Sequence, residues 1–269
     1  MENVPDSDDR KHLFEFVPWL LLVGRREMEV MYRAAFAGPI SRWLIDAASL
    51  NIAAADFSER FQEAVEQTFF GSIAGMDIGS FIRVNELRGQ SLRPDFRVLA
   101  HLGDARKTTK HLKSAGKKWI VAVEDYVGTG TQMKEAAQFL SQLTNFRILL
   151  CPMIVAQSGV VAGEALVKNI GHFAFSPTFV VPPSATLPEN PPGGLLEPVE
   201  ITNMRAIAFR FWAQVQGSDP DSQLYGPFGF GNTGSLVMTY FNCPDNLPPL
   251  VHHLSDTWTP LFQRLYREK

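Results

Sequence analysis

Apolar residues recur every three or four positions from about Leu13 to Phe70, in "LFEFVPWLLL", "MEVMYRAAF", "PISRWLIDAASL" and "FSERFQEAVEQTFF". That period matches the turn of an α-helix and predicts three or four short helices. Pro39 after Gly38, and Asp56 ahead of "FSERF", supply punctuation and a capping side chain. From Phe69 the texture changes. "SFIRVNEL" and "FRVLAHL" are short alternating runs and read as strands.

A regular alternation follows. "KKWIVAVED" is a buried strand by its β-branched run, "TQMKEAAQFLSQL" an amphipathic helix, "FRILLCPMIVA" a second buried strand, and "VVAGEALVKNI" a helix that starts after Ser158 or Gly159. Strands alternating with helices of this length imply parallel pairing. The fold class expected is α/β: a central, mainly parallel sheet flanked by helices, with an added N-terminal helical region. The domain division expected is 1–66 for the helical extension and 67–269 for the α/β domain.

Val181 to Pro198, "VPPSATLPENPPGGLLEP", holds too much proline and glycine for a regular element; a linker and a functional surface loop both fit. Gly217 to Ser235 is a second loop, dense in glycine and aromatics, and "LVMTYF" after it predicts a last sheet strand. No internal repeat is present.

Composition narrows the function classes. With 269 residues and 45% apolar content the chain has ample material for a core, which excludes a disordered or fibrous protein. The formal net charge of -3 gives no global drive toward nucleic acid or anionic membrane, so any anion site is local and nucleic-acid contact is expected only through an assembly. The two cysteines, Cys151 and Cys243, are too few for a disulfide framework, and the acidic opening "MENVPDSDDR" is unlike a signal peptide. The expected location is the cytoplasm. "FVPWLLLV", Phe16 to Val23, falls far short of the roughly 20 residues that span a bilayer. It suits a buried helix or a docking face.

The chemistry concentrates in "IVAVEDYVGTGTQM", Ile120 to Met133. If the strand covers Trp119 to Val123, Glu124 and Asp125 sit at its tip, and Gly128, Thr129, Gly130 and Thr131 make a tight turn into a helix that starts near Gln132. In an open parallel sheet, ligands lie at this edge. Glycines bring the backbone close to a ligand, and the N–H groups at a helix start form an anion site. Two acids beside such a loop would repel a bare phosphate. They fit a ligand whose sugar hydroxyls donate to the carboxylates while its phosphate lies in the loop, which describes a ribose 5-phosphate. An ordinary tight turn is the plain alternative.

This stretch resembles the phosphoribosyl pyrophosphate (PRPP) loop of type I phosphoribosyltransferases: an apolar strand, an acidic pair, two apolar residues and a Thr-Gly turn opening a helix. By that resemblance Glu124 and Asp125, as the catalytic pair, hold the ribose hydroxyls. Tyr126, Val127, Gly128, Thr129, Gly130, Thr131 and Gln132 then line the substrate, and Mg2+ arrives on the substrate pyrophosphate. Gln157 and Ser158, after the next strand, are expected at the same edge as further contacts or as a helix cap. Beyond the loop, "FIRVNEL", "YGPFGFGNTGSLVMTYFNCPDNLPPL" and "WTPLFQR" resemble the phosphoribosyltransferase-like proteins of bacterial conflict and retron-type anti-phage systems, over roughly residues 65 to 265. Two departures bear on chemistry. Gly128 stands where purine-salvage members place an acidic general base, and Gln132 where a threonine closes the phosphate site.

The resemblance implies a defence effector that transfers or cleaves at a ribose carbon. The alternative is a catalytically inactive nucleotide sensor or scaffold subunit. A protein partner or a second copy is expected on the N-terminal helices, and no membrane contact. Arg83, Asn85, Arg88 and Arg93 cluster in "RVNELRGQSLRPD"; the first three suit a pyrophosphate or a partner's acidic surface, and a solvated strand edge is the plain alternative. "DARKTTKHLKSAGKK", with seven basic residues counting His111, suits a pyrophosphate-binding element, an RNA contact or, more ordinarily, a charged helix face. His252 and His253 lack companions at metal spacing, and no metal ligands are expected in the chain.

Overall fold

A computed structural model describes residues 4–87, 95–191, 197–218, 225–240 and 243–262. Arg88, Arg93 and Phe241, the stretches 192–196 and 219–224 of the two loops, and Gln263 and Arg264 lie outside the described residues. In chain order the elements are α1 (Ser7–Phe16), β1 (Leu21–Val23), α2 (Arg25–Ala35), α3 (Ser41–Ala47), α4 (Phe57–Glu66), β2 (Thr68–Ser72), α5 (Ile78–Val84), α6 (Phe96–Leu102) and α7 (Ala105–Ser114). Then come β3 (Trp119–Val127), α8 (Thr131–Leu140), β4 (Arg147–Val155), α9 (Gln157–Asn169), β5 (Phe173–Phe175) and β6 (Phe179–Val180). The chain ends with α10 (Val199–Arg210), α11 (Trp212–Gln216), β7 (Val237–Thr239) and α12 (Pro249–His252). These form two compact units, Arg26–Val180 and Met1–Arg25 with Val181–Lys269.

The first unit carries the sheet. Its strand order is β2-β3-β4-β5, with β6 also paired to β4, and every pair is parallel. The expected α/β class with a parallel sheet flanked by helices is the one observed. Successive side chains in a strand face opposite sides, and here both sides are covered. Ile120, Ala122, Ile148 and Leu150 share one apolar cluster with Phe96, Leu112, Met133, Ala136 and Leu140 of the helices. On β2, Phe70 meets the rings of Phe36 and Phe81 at 6.3 and 6.0 Å, and Tyr32 packs edge-on against Phe81 at 5.7 Å. Burial on both faces explains why β3 and β4 read as unbroken apolar runs.

Several local expectations change. "SFIRVNEL" and "FRVLAHL" are helices, α5 and α6, because runs this short satisfy both periods and the caps decide. Asp77 accepts from Ser80 N–H at 3.3 Å and Asp95 from Val98 N–H at 2.8 Å, each an N-cap. The helical pattern through Phe70 stops at Glu66, and residues 68–72 form β2, where pairing with β3 and burial of all five residues give Phe69 and Phe70 a sheet environment that outweighs local periodicity. The run Phe16 to Val23 is the end of α1, a 3-10 turn and β1.

The second unit packs α1 against α10 around Leu13, Phe16, Met204, Ile207, Phe228 and Trp258. β1 and β7 form a two-stranded parallel sheet with Leu21 opposite Val237. Asp9 pairs with Arg210, Nη1 to Oδ1 at 2.6 Å. Among the described residues no helix is long and apolar enough to cross a membrane.

Leu150 is fully buried in the centre of the sheet, so Leu150→Ala should cost about 2–5 kcal/mol in a urea titration. Leu102, 84% exposed, should change by no more than about 0.5 kcal/mol when made alanine.

Candidate functional site

β3 is longer than its apolar run. It pairs with β4 from Trp119↔Arg147 to Val127↔Val155, so Glu124 and Asp125 lie inside the strand and not beyond it. The ladder pairs Glu124 with Pro152 and Tyr126 with Ile154 and passes over Asp125. Pro152 has no N–H to donate at this point.

The two acids have different surroundings. Glu124 is 5% exposed, and its Oε2 accepts from Ala74 N–H at 2.5 Å and from Ser72 Oγ at 3.4 Å. Ser72 Oγ itself accepts from Gly75 and Met76 N–H at 3.0 and 2.9 Å. Ile73 N–H donates to Val123 O at 2.8 Å. The turn after β2 is therefore bound to the end of β3 through Glu124. Burial, and after it the neighbouring Asp125 carboxyl, pushes Glu124 well above the ordinary carboxylate range, while the Ala74 N–H pulls the other way. Asp95, the cap of α6, adds a further repulsion. Asp125 is half-buried, and its Oδ1 accepts from Tyr126 N–H at 2.7 Å.

Beyond Val127 the chain turns through Gly128 to Gly130 and enters α8 at Thr131, one residue before the expected start at Gln132. Gly130 has φ +79° and ψ 7°, and a Cβ there would stand 2.5 Å from the Ala162 Cβ. Only glycine meets both conditions. Thr129 and Thr131 place their hydroxyl oxygens 3.0 Å apart. Lys134 N–H donates to Gly130 O at 2.9 Å, the first bond of the helix. Among the described residues no acceptor faces the N–H groups of Gly130, Gln132 or Met133, the donors that a helix start leaves over. Such a set favours an anion.

Gln157 and Ser158 open α9 beside this loop. Ser158 Oγ donates to Gly128 O at 3.0 Å, and Ala156 N–H to Val127 O at 2.9 Å. At Gly159 a Cβ would lie 2.8 Å from Gly128 O and 2.9 Å from Val127 O, so the glycine lets the helix approach the loop backbone. Ser158 thus acts on the loop carbonyl, and α9 starts at Gln157, earlier than the expected boundary.

The turn Ile73 to Asp77 was not singled out by sequence reading, and it stands at the same edge, since β2 runs parallel beside β3 with Ser72 opposite Val123. The signal that would have revealed it is "GSIAGMD" after the apolar "FF", a serine-glycine turn ending in a helix cap. Asp95 was missed for a like reason, hidden by reading α6 as a strand. Arg83 is exposed and donates to Ser80 Oγ at 2.8 Å, and Asn85 donates to Tyr32 O at 3.2 Å. Burial pushes the Cys151 thiol up to about 12, which makes it unreactive. Among the described residues no three His, Cys, Asp or Glu side chains converge in a way that holds a metal ion.

Comparison with known proteins adds the family. The PRTase-CE family model matches residues 1–264, and the chain belongs to this phosphoribosyltransferase-like family. The match includes the helices before β2 as well as the sheet. No curated protein and no solved structure matches the chain.

Two outcomes are expected. Gly130→Ala should lower stability by about 1–3 kcal/mol by chemical denaturation, through its positive φ and the contact with Ala162. Glu124 has a raised pKa in the folded chain, so the stability it gives is complete below the unfolded-state carboxylate range and is lost as pH rises through the raised value. Glu124→Gln keeps an oxygen acceptor for Ala74 and removes the titration. Urea midpoints of the two proteins should therefore diverge in favour of the glutamine variant as pH rises from 4 to 8; parallel curves would count against the assignment.

Proposed function

We propose that Asp125 and the turn from Gly128 to Thr131 bind the ribose 5-phosphate part of PRPP or of a related nucleotide. The observation that carries this reading is a single strand–loop–helix turn in which N–H groups without an acceptor among the described residues stand next to a half-buried carboxylate. A sugar phosphate offers oxygens to the amides and hydroxyl donors to the acid, and so removes the repulsion a bare phosphate would meet. Three charge-assisted bonds of about 1.5–3 kcal/mol each reach the ~8 kcal/mol of micromolar binding.

In this reading Glu124 and Asp125 divide the work. Asp125 meets the sugar, and Glu124 holds the turn of Ile73 to Asp77 beside it. Tyr126, Val127 and Gln132 complete the walls, and Gln157 and Ser158 support the loop from α9. The donor set fits a Mg2+ ion that arrives on the pyrophosphate, since it offers the half-buried Asp125 carboxylate and, among the described residues, no closed cage. Bound there, the ion would supply charge stabilisation for the leaving pyrophosphate. The proposed reaction is transfer or cleavage at the ribose C1, in a nucleotide-directed effector of bacterial anti-phage defence.

A second reading rests on Gly128. It offers no side chain to take a proton at the position where a general base would stand. A chain that binds the sugar phosphate and makes no product would be a nucleotide sensor or a scaffold subunit.

Calorimetry with PRPP and Mg2+ tests the site. The wild-type chain is expected to bind in the micromolar range, and Asp125→Asn at least tenfold more weakly. Equal affinities, or no binding of PRPP by the wild-type chain, contradict the reading. Mass spectrometry of the same mixtures after incubation with candidate acceptors separates effector from sensor.

A further inference from the structure

We propose a second binding face, on α7, for the phosphodiester backbone of a nucleic acid. A depression of about 590 Å³ is lined by Arg106, Thr109, Lys110 and Lys113 of α7 and by Gln142 and Asn145 after α8. It does not include Asp125 or the turn from Gly128 to Thr131, so the face is independent of the sugar-phosphate site.

Its chemistry is one-sided. Arg106, Lys110 and Lys113 are exposed, and among the described residues none of the three is in an ion pair. Lys113 Nζ donates to Asn145 Oδ1 at 2.6 Å, which aims the ammonium along the wall without neutralising it. No acid lines the depression. From Ala105 to Val123 the sequence has no Asp or Glu at all, although the chain as a whole is acidic at -3. The cap of α7, Asp104, lies 4.0 Å from Lys107, outside the depression.

The spacing of the cations suits a polymer. Positions 106, 110 and 113 follow the i, i+4, i+7 row of one helix face, which spans about 10 Å at 1.5 Å per residue. Lys107 and Lys118 extend the charge past the depression. A single phosphate would leave most of this strip unused. The walls carry amides and a hydroxyl but no aromatic ring, so the face has no platform for stacked bases and contacts the backbone without reading sequence.

The test uses the full chain and fluorescence anisotropy with a labelled mixed-sequence 20-nucleotide single strand and the matching duplex. The wild-type chain is expected to bind at least one of them at 50 mM salt. With three single-strand phosphate contacts, affinity falls roughly twentyfold between 50 and 200 mM. The triple variant Arg106→Gln, Lys110→Gln, Lys113→Gln should lose at least tenfold at 50 mM, and Lys110→Gln alone should lower the salt slope by roughly one contact. Lys168→Gln, an exposed lysine on α9, should change neither value. Thermal melts check that the variants fold, which is expected because the altered side chains are exposed. Failure to bind either oligonucleotide, unchanged affinity of the folded triple variant, or displacement of the oligonucleotide by lower concentrations of polyglutamate than of unlabelled nucleic acid would overturn the proposal, the last by identifying a face for acidic protein.

Discussion

The parallel pairing of β3 with β4, carried without a break in direction to Val127 and Val155, is the constraint on which the site depends. Because both strands end at the same level, the turn of Gly128 to Gly130 and the first residues of α9 must occupy the same space. The chain meets that requirement with small residues. Gly130 fits against Ala162, and Gly159 lets α9 reach the carbonyls of Val127 and Gly128. The ladder thus fixes where α8 begins, and with it the direction of the N–H groups that no acceptor among the described residues satisfies. A parallel sheet buried on both faces tolerates little slippage of register, since one residue would turn every core side chain to the wrong face.

A carboxylate pair beside an anion-binding helix start looks self-defeating until the two acids are taken separately. Glu124 is inside the protein, held to Ala74 and Ser72, and its burial favours the neutral form. Asp125 is half-buried and is the acid of the pair with solvent access. The charge near the loop is therefore smaller than two adjacent carboxylates suggest. Glu124 also ties the turn after β2 to the end of β3, so that one buried group sets the place of that turn at the sheet edge. A ligand bound at this edge would meet a preset arrangement, with little ordering cost.

Much of this was legible in the sequence, for physical reasons. The β-branched runs of β3 and β4 and the amphipathic pattern of α8 permit few alternatives, and "EDYVGTGTQ" placed acids, glycines and hydroxyls where a strand gives way to a helix. What was not legible depended on tertiary context. α5 and α6 are too short for their period to be diagnostic, and only the capping bonds of Asp77 and Asp95 reveal them. β2 looked like the end of a helix because Phe69 and Phe70 continue the spacing of α4. The different burial of Glu124 and Asp125 is invisible in sequence, since it arises from the turn after β2, fifty residues away.

The central claim is that the leftover N–H groups at the start of α8 form a phosphate cradle beside Asp125. Amide chemical shifts measured by NMR during titration with ribose 5-phosphate test it most directly. The account requires saturable shifts concentrated at Thr129 to Met133, with a smaller response at Asp125. Shifts concentrated elsewhere, with the amides of Gly130, Gln132 and Met133 unmoved at saturation, would contradict it.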